Sequence, residues 1–211
     1  MAVRSQKEYD LKKNEIIRSA KKLLLEKGIE DTTIQDIADE SGFSRVTVYS
    51  YFKNKDDMIF YIFAETGMKH LEFIDKNLDK KKNGLDQIYS IGESFYKFFK
   101  KYPLNIRLRM YTFLYDANQF EKNLSKTTFN NLLTFFDTGR EVIRDSIRLG
   151  IKDGSIRKDI DVVNTNIHFI GSMMDILKTT ILTNVYLFKK KSEIKKVFYD
   201  FLDLFIRGIK A

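Results

Sequence analysis

The chain has 211 residues, with 37 Lys and Arg against 29 Asp and Glu, for a formal charge of +8. Cysteine is absent and the only histidines are His70 and His168, which excludes disulfides, thiolate chemistry, Cys-ligated metal centres and any multi-histidine site. The basic balance points to an acidic partner, either nucleic acid or an anionic membrane.

Helical periodicity runs through the whole sequence, with one proline and ten glycines as breakers. Ile16, Ile17, Ala20, Leu23 and Leu24 form the first stripe, which Gly28 stops. Thr32 and Gln35 have capping-box spacing and open a second helix bearing Ile34, Ile37 and Ala38. After Ser41-Gly42-Phe43, Ser44 caps a short third helix that reaches about Tyr51. Asn54 caps the fourth, with Asp56 and Asp57 where the helix dipole favours acids. Its stripe is Met58, Ile59, Ile62, Phe63, His70, Leu71, Ile74 and Leu78.

Beyond the Asn83-Gly84 turn, Ile88, Ile91, Phe95, Phe98, Phe99 and Tyr102 form the next stripe, which Pro103 ends. Leu104, Leu108, Tyr111 and Tyr115 continue on a new axis. Phe129, Leu132, Leu133, Phe136, Ile143 and Ile147 follow, closed by Gly154. Asp161 starts a helix with Val163, Ile167, Ile170, Met174, Leu177, Ile181 and Val185. Ser192 caps the last, with Ile194, Val197, Phe198, Phe201, Leu202, Phe205 and Ile209. The fold expected is all-α, with about nine helices and no strand. A small head, residues 1–56, precedes a larger helical body, residues 57–211.

The stretch from Thr32 to Lys55 carries the chemistry. Two short helices joined by a three-residue turn containing Gly42 have the spacing of a helix-turn-helix. Ile37, Ala38, Phe43 and Val48 are placed to form the seam between them. From Ser44 to Lys55 the segment holds Arg45, Lys53 and Lys55 and no acid. Arg45 stands at the helix start, where arginine pairs bidentately with guanine in the major groove. Ser44, Thr47 and Ser50 supply hydroxyls. Tyr49, Tyr51 and Lys55 have the reach for phosphate oxygens. Thr33 and Gln35 sit at the preceding helix N-terminus, where amide dipoles suit a phosphate.

Residues 28–58 resemble the DNA-binding head of the TetR family of transcriptional regulators. The resemblance rests on Gly28, Thr32-Thr33-Ile34, Ile37-Ala38, Gly42-Phe43-Ser44, Thr47, Tyr49, Tyr51-Phe52, Lys53-Asn54-Lys55-Asp56 and Met58. Val46 and Ser50 occupy positions that vary with operator sequence in that family, so both join the expected DNA contacts. The resemblance implies a ligand-responsive repressor that binds a pseudo-palindromic operator in double-stranded DNA as a homodimer. It also implies that a small, largely apolar ligand in the body releases the DNA. Aromatics crowd the region from Ile88 to Phe136, and the ligand is expected among Phe95, Phe99, Met110, Tyr111, Leu114, Phe136, His168 and Met174. The dimer is expected through the last two helices, with Ile170, Met174, Leu177, Ile181, Phe198, Phe201, Leu202 and Phe205 at its interface. An activator, a ligand-independent DNA-binding regulator and a helical interaction protein without DNA are the rival readings.

No catalytic motif of the P-loop, GxSxG or HExxH type occurs, and no nucleotide fingerprint. No enzyme, cofactor or metal is expected. The first 30 residues are charged throughout, leaving no signal-peptide core. The longest apolar run, Met58 to Ala64, falls well short of the roughly 20 residues needed to cross a bilayer. A cytoplasmic protein with no membrane partner is the expectation. Residues 1–56 hold 11 Lys and Arg against 10 Asp and Glu, so the positive surplus lies mainly in the body.

Overall fold

The computed structural model describes residues 2–115, 117–181 and 191–211. Within them the chain is all-α. The helices are α1 (Ala2–Glu26), α2 (Ile34–Ser41), α3 (Arg45–Tyr51), α4 (Lys55–Asn77), α5 (Gly84–Lys101), α6 (Leu104–Thr112), α7 (Ala117–Asn123), α8 (Lys126–Asp153), α9 (Val162–Ile181) and α10 (Lys191–Ile209). Among the described residues the β structure is one isolated antiparallel bridge, Ile156 to Lys210. The helix beyond the expected nine is α7. Its seven residues carry a single large apolar side chain, Phe120, so no stripe announces it. Val185 lies outside the described residues, as do the side chains of Ile181, Ser192 and Ile194.

The chain divides into two compact units, residues 1–66 with 107–133, and residues 67–106 with 134–211. In the first, the stripes of α1 to α4 meet in a core of Ile16, Ala20, Leu24, Ile37, Val48, Phe52, Ile59 and Ile62. Phe60 is fully buried. Its ring packs edge-on against Tyr115 at 5.1 Å and Phe120 at 5.0 Å, so α7 is held by the one apolar residue it has. Burying a side chain of this size contributes about 1.5–3 kcal/mol.

In the second unit α5, α9 and α10 pack together through Ile88, Ile91, Phe95, Phe169, Met173, Leu177, Phe198 and Leu202. Tyr96 lies 4.9 Å from Phe198, and Phe169 lies 5.0 Å from Phe205. The start of α5 is pressed onto α8. A Cβ on Gly84 would stand 2.0 Å from the Gly150 amide nitrogen and 2.4 Å from the Ser146 carbonyl, so only glycine allows this approach.

Four residues expected on inward stripes face outward instead. Tyr102, Leu133 and Val163 are each 44% exposed and Ile167 is 58% exposed. On α8 and α9 the apolar stripe is wider than the surface the core covers.

Candidate nucleic-acid interface

The head is built from its caps. Thr33, not Thr32, is the N-cap of α2, and its box partner is Asp36. Thr32 is fully buried and its hydroxyl donates to the Gly28 carbonyl at 2.6 Å. The expected box is therefore displaced by one residue, because the buried hydroxyl closes the loop while the exposed one caps. Asp36 accepts from the Thr33 amide and hydroxyl, and Lys27 lies 2.7 Å away. The Lys27 ammonium and the Thr33 hydrogen bonds hold the Asp36 carboxyl far below its usual range. Gly42 ends α2 in the left-handed region at φ 71°, with its N–H on the Asp39 carbonyl, and so turns the chain towards α3.

Ser44 caps α3, accepting from the Thr47 amide at 3.1 Å. Val48 and the following Phe52 face the core. The opposite face is open. Ser44, Arg45, Val46, Tyr49 and Ser50 are exposed, Val46 by 79%. The Arg45 guanidinium lies 6.0 Å from the Tyr49 ring centre, and the Ser50 hydroxyl donates to the Thr47 carbonyl at 2.6 Å. Thr47 and Tyr51 are half-buried, with the Tyr51 ring against Tyr9 of α1 at 4.6 Å. Thr33 and Gln35 are exposed at the start of α2, where the Gln35 amide donates to Asp39. This face can offer hydroxyls, one guanidinium, a phenol and an aliphatic side chain to a groove.

The lysines behave differently from the expectation. Lys55 is half-buried, and its ammonium donates to the carbonyls of Ile29, Glu30 and Thr32 at 2.9, 3.2 and 3.0 Å. Its three N–H groups are all engaged, which leaves none for a phosphate. The Lys53 ammonium donates to the Lys122 carbonyl at 2.7 Å. Of the three cations from Ser44 to Lys55, Arg45 and Lys53 are exposed, and Lys53 has one N–H engaged by a backbone carbonyl. Lys55→Ala should therefore lower stability by about 1–3 kcal/mol and leave the salt dependence of DNA binding unchanged. A slope lower by about one would return Lys55 to the phosphate role.

Behind α3, the start of α4 is tied to residues 122–125. Asp57 is fully buried and accepts from the Lys53 amide at 2.8 Å, the Ser125 amide at 2.9 Å and the Ser125 hydroxyl at 3.0 Å. Asn54 caps α4 through the Asp57 amide and donates to the Asn123 carbonyl. The Tyr111 hydroxyl donates to Asp56 at 2.8 Å and meets Tyr115 at 3.0 Å. The Asn54 cap was legible from local spacing, and the ties to Tyr111, Asn123 and Ser125 were not.

The residues expected around a ligand are divided between the two units. Met110, Tyr111 and Leu114 belong to the first unit, and Phe95, Phe99, Phe136, His168 and Met174 to the second. Leu114 is 68% exposed and His168 is exposed. Phe95 and Phe99 are buried and in ring contact. The histidine they touch is His70, which sequence reading placed only on a stripe. Of the residues expected at a dimer interface, Met174, Leu177, Phe198 and Leu202 are buried in the second unit's own core, so they have no surface for a partner. Ile170, Phe201 and Phe205 are half-buried.

Residues 16–62 match the sequence model of the family described as bacterial regulatory proteins, tetR family. The uncharacterized HTH-type transcriptional regulator YfiR of Bacillus subtilis is 41% identical over 71 residues, about a third of either chain. The fatty acid metabolism regulator protein of Bacillus subtilis is 23% identical over 196 residues, covering 92% of this chain and 94% of the relative. Among solved structures, FadR from Bacillus subtilis in complex with stearoyl-CoA superposes with a TM-score of 0.72 at 17% identity, over 92% of this chain and 98% of the other. The ketosteroid transcriptional regulator KstR2 of Mycobacterium tuberculosis gives 0.68 at 17% identity, over 94% of each chain.

Proposed function

We propose, from the premise that this chain carries a TetR-family head on a TetR-like helical fold, that it is a ligand-responsive transcriptional repressor. In this reading residues 1–56 bind DNA and residues 57–211 bind the ligand and the second copy. A homodimer sets two α3 helices on a pseudo-palindromic operator about one DNA turn apart, or a multiple of it. An apolar ligand shifts the population towards a form whose heads no longer fit that spacing. The observation that carries the DNA half is the open face of α3, with Arg45 outward and Val48 and Phe52 locking the helix from behind.

The ligand half draws on the relatives. One is a fatty acid metabolism regulator, one holds stearoyl-CoA and one is described as a ketosteroid regulator. These share an apolar skeleton bearing a carbonyl, and the ligand proposed here has that chemistry. The dimer half draws on α9 and α10, where Val163, Ile167 and Leu204 expose apolar surface beside half-buried Ile170, Phe201 and Phe205. These six replace the core residues expected from sequence. No described helix is long and apolar enough to cross a membrane, and a cytoplasmic, non-catalytic role fits the reading.

Selection from a random duplex library, followed by anisotropy titration, tests the DNA half. It should recover a two-fold-symmetric site whose affinity falls steeply with salt. Binding that is indifferent to salt, or competed by anionic vesicles, would favour a membrane-surface protein. Arg45→Ala should weaken the selected site by about 1–3 kcal/mol, roughly 5- to 150-fold, and relax preference at one base pair. An equal loss on every sequence would remove Arg45 from base reading.

A further inference from the structure

His70 of α4 is 4% exposed, and its Nε2 atom has no hydrogen-bond partner. Three phenylalanines of α5 close around it. The Phe98 ring stacks at 4.4 Å, and Phe95 and Phe99 stand edge-on at 4.5 and 5.0 Å. Burial pushes the imidazole pKa down to about 3, so the ring is neutral at physiological pH. A buried polar atom left unpaired is destabilising, and leucine or phenylalanine would fill the same space without that penalty. A second such atom lies on a neighbouring helix. Asn166 Oδ1 of α9 is buried and unpaired, one turn before Phe169, whose ring meets Phe95 at 6.4 Å.

We infer that His70 is the polar anchor of the ligand site: its Nε2–H donates to the carbonyl oxygen of an otherwise apolar ligand that parts the surrounding phenylalanine rings. This rests on the ligand-responsive reading above and names the group that recognises the ligand. A neutral imidazole ringed by phenylalanine offers one directional hydrogen bond in an apolar setting. It gives no ionic attraction to a carboxylate. The chemistry selected is therefore a thioester, ester or ketone carbonyl on an alkyl or polycyclic body. A free fatty acid binds worse, because its ionised carboxylate would be desolvated with no countercharge.

Calorimetric titration of the full chain with stearoyl-CoA, with its thioether analogue S-octadecyl-CoA and with a 3-ketosteroid tests this and separates the two carbonyl sources. The wild type should bind stearoyl-CoA or the ketosteroid. If stearoyl-CoA is the ligand, the thioether, which lacks the carbonyl, should bind at least tenfold more weakly. His70→Leu should weaken the carbonyl ligand at least tenfold, remove the preference over the thioether and leave the protein at least as resistant to heat. His70→Gln, which keeps a donor, should bind within about threefold of wild type.

Should His70→Leu fail to fold, the nitrogen shifts of histidine-labelled wild type decide: His70 Nε2 must move when ligand is added. Equal affinity of wild type and His70→Leu for the carbonyl ligand, or an unmoved Nε2 shift at saturation, overturns the assignment of His70 alone. A wild type that binds none of the probes overturns the ligand-responsive reading for this class, and the anchor with it.

Discussion

Replacing Asp57 with alanine should lower stability by about 3–5 kcal/mol, because it removes the fully buried acceptor of three hydrogen bonds. The donors are the Lys53 amide, the Ser125 amide and the Ser125 hydroxyl. The acid also sits in the first turn of α4, where it complements the helix dipole. Lys53 follows α3 by two residues, so losing its amide bond loosens the end of α3 as well. Asp57→Asn keeps one acceptor oxygen and should cost less, about 1–3 kcal/mol. Urea unfolding of both variants, with DNA affinity measured where each is folded, checks the ordering. A loss under about 1 kcal/mol for Asp57→Ala would mean that water replaces the carboxyl, and the tie between α4 and residues 122–125 would then carry little.

The second large effect is acid lability centred on His70. In the folded chain its imidazole stays neutral down to about pH 3, because burial penalises the charged form. In the unfolded chain it takes a proton near its ordinary value of 6.5. Between those values the unfolded state holds one more proton, so stability falls as pH falls. The contribution is complete above about 6.5 and is lost by about 3, at up to about 1.4 kcal/mol per pH unit. The full span is on the order of 5 kcal/mol. His70→Leu should flatten the wild-type curve by up to one proton between pH 6.5 and 4, and denaturant titrations across that range measure it. Parallel curves for the two proteins would show that His70 is hydrated in the native state.

The head was legible because its determinants are local. Gly42, Ser44 and the Ile37, Ala38 and Val48 seam lie within about a dozen residues, and each acts through neighbours in sequence. Even there, the one-residue shift of the capping box turned on burial, since Thr32 and Thr33 are chemically alike and only one is exposed. The roles of Lys53 and Lys55 were not legible. Their carbonyl partners lie 69 and 23–26 residues away, so a run of cations free of acids read as a DNA surface. His70 looked like any stripe residue, because its isolation is a property of the three rings around it. The burial of Met174, Leu177, Phe198 and Leu202 was not legible for a related reason. Apolar periodicity marks a stripe, and it cannot divide the stripe between the chain's own core and a partner.

The first unit is assembled from two separated stretches, residues 1–66 and 107–133, and this bears on how the protein matures. The hydrogen bonds that fix the start of α4 join residues 68 and 69 apart in sequence, so a long loop must close before any of them forms. During synthesis, α1 to α3 emerge well before Ser125 exists to meet Asp57. Helix α3 can coil early on its own caps, but the unit that seats it is complete only once residues 107–133 have been made. A nascent or truncated chain that ends before that point holds α2 and α3 without the hydrogen bonds that tie Ser125 and Asn123 to the start of α4. On the DNA-binding reading proposed above, competence to bind therefore arrives late in synthesis.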